Sequence, residues 1–197
     1  PILRERPELT VAVTGGGDEA FVARLEKQTR DLGIREQVEL LGWTEDMPAF
    51  YRACDLVCIP SRAESFGRTA IEAFATGTPV VATAVGGLQE IVEDGETGLL
   101  VGYGETEELT EAVGRLLESS GLREEMAERA RRVGEKKYHG QVYKVRIAWL
   151  AESLSPLAAP REEYAEEGAE SEQPRGHGSV LIVQRSSALD GSAPSSA

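Results

Sequence analysis

Leu9-Thr10-Val11-Ala12-Val13-Thr14 is a short apolar, β-branched run that stops at Gly15-Gly16-Gly17. The same cycle of apolar run, glycine or turn, and helix-length stretch then recurs along the chain. Asp18 caps a predicted helix reaching Leu32, with Phe21, Val22, Leu25 and Leu32 on its apolar side, and Gly33 ends it. Val38-Glu39-Leu40-Leu41 reads as a second strand, followed by the loop Gly42-Trp43-Thr44 and a short amphipathic helix from Glu45 to Cys54. Leu56-Val57-Cys58-Ile59 is the third strand, Ser61 to Gly67 a loop, Arg68 to Thr76 a helix, Gly77-Thr78-Pro79 a turn, and Val80-Val81-Ala82-Thr83 the fourth strand. Gly86-Gly87 opens a helix through Val92, and the hairpin-like stretch from Glu93 to Gly98 leads into Leu99-Leu100-Val101. Two charged amphipathic helices follow, near Glu105–Ser119 and Leu122–Lys137. Strands that are apolar throughout and separated by helices are parallel strands covered on both faces. With right-handed crossovers this predicts a doubly wound α/β sheet.

The character changes near Ser155. Residues 1–154 read as the folded domain. Residues 155–197, rich in Pro, Ser, Gly, Ala and Glu, read as an acidic, largely disordered low-complexity tail. Within the tail only Val180-Leu181-Ile182-Val183 is apolar, and the sequence assigns it no specific role. Removing residues 156–197 is therefore expected to change stability little. Just before the tail, Gln141–Leu154 shows an apolar helical face formed by Val142, Val145 and Trp149.

The charge balance removes several classes of partner. With 34 acids against 21 bases the formal charge is −13, which opposes non-specific nucleic-acid binding, since that needs a cationic face. The same excess disfavours an anionic membrane surface. No apolar run approaches the about 20 residues that cross a bilayer. Cys54 and Cys58 are the two cysteines, at helix-like spacing among apolar residues, and read as small buried hydrophobes. A zinc site would need further ligands, and the histidines, His139 and His177, lie far along the chain, so no metal is expected. Two cysteines make no disulfide framework, and no secretory signal is present, so the expected compartment is the cytoplasm. The chain begins at Pro1, which reads as a processed, trimmed or partial chain.

In an open parallel sheet, ligands bind beyond the carboxyl ends of the strands. Three loops at that edge carry glycine: Gly15-Gly16-Gly17, Glu64-Ser65-Phe66-Gly67-Arg68-Thr69 and Val85-Gly86-Gly87. Each leads into a helix start, whose unpaired N–H groups suit a phosphate. Glycine also serves such turns for purely geometric reasons. Glu64 and Glu72, with seven residues between them, are more specific. Glu64 lies in the loop before the helix, either aimed into the crevice or acting as an ordinary acid that favours the helix dipole. Glu72 interrupts a nearly apolar helix surface and shares a stripe with Thr69 and Thr76, which is either a binding face or simply solvated.

The longer frame is specific. Pro60-Ser61-Arg62-Ala63-Glu64-Ser65-Phe66-Gly67, then Glu72-Ala73, the stretch from Gly77 to Thr83, and Gly86-Gly87-Leu88-Gln89-Glu90-Ile91-Val92 together resemble the donor-binding domain of retaining, family 4-type glycosyltransferases. Glu93 to Val101 continues the resemblance, which covers about residues 8–153. It implies the C-terminal half of a GT-B architecture, in which two Rossmann-like domains face a cleft. The substrate implied is a nucleoside-diphosphate sugar, with no cofactor. By the same resemblance Glu72 would accept hydrogen bonds from the ribose hydroxyls, and Glu64 would hold a hydroxyl of the transferred sugar beside the reacting carbon. Phe66, Gly67 and Arg68 would offer main-chain N–H groups to the sugar, with Thr69 and the helix start facing the diphosphate. Gly16 would line the phosphate side. Trp43 would neighbour the base, or else serve as a hydrophobic lid.

The departures from the family pattern carry weight too. The family's donor domain begins with a strand followed by a Gly-Arg and, a few residues on, a Lys, whereas Pro1-Ile2-Leu3-Arg4-Glu5-Arg6 precedes the first strand here. The acceptor-binding N-terminal domain is not in the sequence, so a missing domain or a separate partner chain is expected to supply it. Arg68 stands where the family more often has an apolar residue; it would either add charge near the phosphates or point to solvent. Rival readings are a non-catalytic nucleotide-sugar-binding module, a truncated structural remnant, and a flavodoxin-like signalling domain. The last lacks an acidic pocket at the first strand's end.

Overall fold

A computed structural model describes residues 1–15, 19–44, 46–138 and 180–185. Helix α1 (Ile2–Glu5) leads into strand β1 (Leu9–Thr14), then α2 (Glu19–Asp31), a 3-10 turn (Arg35–Gln37) and β2 (Val38–Gly42). Next come α3 (Met47–Arg52), β3 (Leu56–Ile59), α4 (Arg68–Thr76), β4 (Val80–Thr83), α5 (Gly87–Ile91) and β5 (Gly98–Val101). Two longer helices, α6 (Thr106–Glu118) and α7 (Ser120–Tyr138), follow, and β6 (Val180–Arg185) completes the described elements. Helix α1 had no counterpart in the sequence reading.

Among the described residues the strands form one sheet in the order β2-β1-β6-β3-β4-β5. β1 pairs parallel with β2, and β3 with β4 and β4 with β5 likewise, as the apolar runs predicted. The chain starts near the middle of the sheet and builds outward in both directions, the signature of a doubly wound fold.

Two expectations are corrected by β6. The sheet is mixed rather than wholly parallel, because β6 runs antiparallel to both β1 and β3. The apolar run at 180–183 does have a partner: Val180 to Arg185 pairs along the whole of β1, from Thr14 back to Leu9, and Leu181 to Val183 pairs with Cys58 to Leu56. Neighbouring strands lie about 4.8 Å apart, so β1 and β3 sit two spacings from each other with β6 filling the interval. The rest of residues 155–197, and Gln141–Leu154, lie outside the described residues.

Alternation along β3, β4 and β5 divides the core between the two faces of the sheet. On one face Leu56, Cys58, Val81, Leu99 and Val101 join Leu9, Val11 and Val38 against Leu116 and Leu117 of α6 and Met126 of α7. On the other, Val57, Ile59, Val80 and Ala82 pack on Ala70, Ala73 and Phe74 of α4, Leu88 and Ile91 of α5, and Ala130 of α7. β3 and β4 are buried at every position. That double coverage is why they read as continuous apolar runs. β2, at the edge, is buried only at Val38.

Candidate active site at the turn from β3 to α4

The carboxyl ends of β1, β2, β3 and β4 lie along one edge of the sheet, and the loops leaving them build the site. At the front, the Thr14 hydroxyl donates to the Gly42 carbonyl (2.9 Å), and the Gly15 N–H donates to the same oxygen (2.9 Å). The loops after β1 and β2 are thereby stitched together. Trp43, beyond Gly42, is 68% exposed, so its indole stands on the rim and does not pack down as a lid. Gly16 lies outside the described residues.

At the back, the Thr83 hydroxyl at the end of β4 donates to the Ser61 carbonyl (2.6 Å) and fixes the chain as it leaves β3. Six positions further on, Gly67 caps α4 in the left-handed region (φ +78°). Glu64 closes this turn on itself. Its carboxylate Oε1 accepts from the Gly67 N–H (3.0 Å) and, at longer range, from the Phe66 N–H (3.4 Å). A carboxylate in front of a helix start is favoured by the amide donors and by the dipole together. Of the three amides assigned by resemblance to a sugar, those of Phe66 and Gly67 are, in this structure, occupied by Glu64 itself.

The loop after β4 is pressed against this turn. The Gly87 N–H donates to the Glu64 carbonyl (2.9 Å). A Cβ on Gly86 would fall 1.9 Å from that same carbonyl oxygen, and one on Gly87 only 2.7 Å from the Phe66 backbone. Only glycine permits two main chains to approach so closely. The third glycine loop therefore serves to hold the Glu64 turn. Helix α5, with five residues, adds little dipole of its own.

Glu72 follows one turn into α4, half-buried, with each carboxylate oxygen engaged. Oε2 accepts from the Tyr51 hydroxyl (3.1 Å), and Oε1 lies 3.3 Å from Nε of Arg68. Arg68 is 83% exposed along its side chain, so it reaches back along the helix while remaining largely in solvent. The Thr76 hydroxyl donates to the Ala73 carbonyl (2.8 Å) and lies 3.1 Å from that of Thr78, which itself donates to the Tyr51 carbonyl (2.8 Å). Glu72 and Thr76 of the stripe thus join a polar network with Tyr51 and Thr78 while staying half-buried.

Tyr51 was not singled out in the sequence. It is 1% exposed and belongs to α3, whose start is capped by Asp46 accepting from the Ala49 N–H (2.9 Å). Burial, and then the charge of Glu72, hold its phenol well above the ordinary range, so it stays protonated. The available signal was a tyrosine closing a short amphipathic helix, since a buried phenol has to find a partner. Nearby, burial pushes both thiols, Cys54 and Cys58, up to about 12; Cys58 is buried as expected, whereas Cys54 is half-buried and its thiol donates to the Phe50 carbonyl (2.8 Å). No helix among the described residues is long and apolar enough to cross a membrane.

Comparison with known proteins shows what family and fold the chain shares. The family model described as "Glycosyl transferases group 1" matches residues 1–133. The D-inositol 3-phosphate glycosyltransferase of Salinispora arenicola is 44% identical over 137 residues, covering 67% of this chain and 30% of that protein. The chain thus spans about three tenths of the length of the curated relatives it matches. Among solved structures, Anabaena HepE in complex with UDP-glucose superposes with a TM-score of 0.67 at 33% identity, covering 74% of this chain and 40% of that one. The C-terminal domain of a glycosyl transferase group 1 family protein from Francisella tularensis superposes with a TM-score of 0.58 at 32% identity, covering 63% and 65% of the two chains.

Proposed function

The chain belongs to the glycosyl transferases group 1 family, and on that premise we propose that it is the donor-binding part of a retaining, hexosyl-type glycosyltransferase. The substrate is a nucleoside-diphosphate sugar. The observation that carries this reading is the pair of carboxylates at the start of α4: Glu64 against the Phe66 and Gly67 amides, and Glu72 one network further along. The HepE complex with UDP-glucose, a relative of the same fold, supports the choice of ligand class.

In this reading the ribose hydroxyls donate to Glu72, for which a carboxylate's four lone-pair directions leave room beside Tyr51 and Arg68. The uracil or other base lies by Trp43. Ala70 and Ile71 already bond the Gly67 carbonyl, so at the helix start the Arg68 N–H serves the sugar and the Thr69 N–H faces the diphosphate. Glu64 turns from its own amides to a hydroxyl of the sugar, and the Phe66 and Gly67 N–H groups are released to sugar oxygens. Transfer breaks the bond between the anomeric carbon and the diphosphate oxygen, whose electron pair departs with the diphosphate. The acceptor oxygen forms its new bond on the same face, and its proton passes to the departing phosphate. Amides aimed at the charge that grows on the leaving group supply the main electrostatic term. The scheme invokes no metal or cofactor.

The acceptor is held by another domain or chain, in line with the share of each relative that this chain spans. Alone, the 197-residue chain is then a binding module that holds donor weakly without transferring it. Calorimetric titration with UDP, GDP, ADP and their glucose conjugates tests both halves of the proposal. Measurable binding of at least one pair, with no sugar release to simple acceptors, is the expected result. Absence of any binding would reduce the chain to a structural remnant, and robust turnover would refute the need for a partner.

A further inference from the structure

We propose that Tyr51 is a positioning residue for the ribose end of the site, its buried hydroxyl holding the Glu72 carboxylate in the orientation that receives the ribose hydroxyls. The proposal rests on the donor-binding reading above and names a residue which that reading leaves out. Glu72 has two neighbours that can orient it. Arg68, one turn earlier on the same helix, is largely solvent-exposed, and an exposed ion pair of this spacing is weak, flexible and screened by salt. Left to Arg68 alone, the carboxylate would lie back along the helix surface.

Tyr51 differs in each respect. It comes from a separate helix and is buried. Its backbone is fixed from two sides: its carbonyl accepts from the Thr78 hydroxyl (2.8 Å) and from the Cys54 N–H (3.1 Å). Its hydroxyl therefore occupies a set point against which Glu72 Oε2 docks at 3.1 Å. The phenol stays a donor at every physiological pH, because burial and the adjacent carboxylate both oppose its ionisation. Donation to one oxygen consumes one acceptor direction and turns the remaining ones outward from the core. Tyr51 touches no substrate in this arrangement; it acts through Glu72.

The test uses the full chain and two probe pairs: UDP and GDP, each beside its 2′,3′-dideoxy analogue, which lacks the hydroxyls that Glu72 receives. Wild type is expected to prefer the ribose form. Tyr51→Phe keeps the ring that fills the core, and is expected to lose roughly tenfold affinity for the ribose form, the scale of one hydrogen bond to a charged group. Affinity for the dideoxy form should be unchanged, which also shows that the variant is folded. In a Glu72→Ala background the preference should be gone and Tyr51→Phe should add nothing. Equal weakening of both forms by Tyr51→Phe would mean a merely structural role and overturn the proposal, as would an undiminished ribose preference. A wild type that binds but does not discriminate would instead overturn the ribose role of Glu72, and that of Tyr51 with it. A wild type that binds neither form would overturn the donor reading itself.

Discussion

Helix α4 buries Ala70, Ala73 and Phe74 between the sheet and α7, and α7 comes close enough for Gly134 to sit against Phe74. Helix α2 is longer, with Phe21, Val22 and Leu25 on its apolar side, yet it buries only Thr29. Val22 is 37% exposed, and Phe21 stacks under the Arg24 guanidinium, 5.3 Å from its ring centre. Neither core cluster reaches α2. The same contrast runs through the strands, with β3 and β4 covered on both faces and β2 open beyond its first residue. The half of the sheet that carries Glu64 and Glu72 is thus closed by its own helices. The half that carries β1 and β2 is joined to it, among the described strands, through β6. A site that has to hold two carboxylates in register belongs on the closed half.

Removing residues 178–197, and β6 with them, should break the comparison most severely. β1 and β3 would then share no ladder, and the expected loss is a large part of a domain's margin of about 5–15 kcal/mol. Thermal melting should broaden or split as the two halves lose cooperativity. An unchanged melt would return the segment to the passive role that its sequence suggested. Next in size is a matched pair of truncations. Phe74→Ala should cost about 3–5 kcal/mol through the cavity it leaves, while Val22→Ala in α2 should stay within about 0.5 kcal/mol. Urea midpoints of the two variants check this, and similar losses would erase the distinction between the halves.

A smaller effect is expected from pH. The Cys54 and Cys58 thiols, both on the closed half, have folded-state values raised to about 12. In the unfolded chain they ionise near 8.5. Their preference for the neutral form is therefore fully satisfied below the unfolded value, and the stability it confers is lost as pH climbs towards the folded one. Urea midpoints should fall between pH 8 and pH 11, and this part of the fall should vanish in a Cys54→Ala, Cys58→Ala double variant. A fall of the same size in that variant would remove the thiols as its cause.

How much of this was legible in the sequence follows the same division. β3, α4 and β4 were bounded correctly because Gly67 and Gly77-Thr78-Pro79 punctuate them, and because strands covered on both faces are apolar at every position. Glu72 was found because an acid stands out against a nearly apolar helix surface, and Glu64 by its place in the loop before that helix and its spacing from Glu72. β6 escaped notice because four apolar residues in a polar tail carry no periodicity, and nothing local reveals a partner strand well over a hundred positions away. Tyr51 escaped because its role depends on a contact across 21 positions between two helices. The interlock of Gly86 and Gly87 with the Glu64 turn was likewise invisible, since a phosphate-binding loop and a packing loop both call for glycine.

The account rests on Glu64 and Glu72 having different duties at one site, and calorimetry of UDP and UDP-glucose with two single variants tests that directly. Glu72→Ala should weaken both ligands by about 1.5–3 kcal/mol, the worth of a hydrogen bond to a charged group. Glu64→Ala should leave UDP affinity unchanged, or raise it slightly as the Phe66 and Gly67 amides are freed, and should weaken UDP-glucose alone. Equal loss of UDP binding in both variants would contradict the assignment.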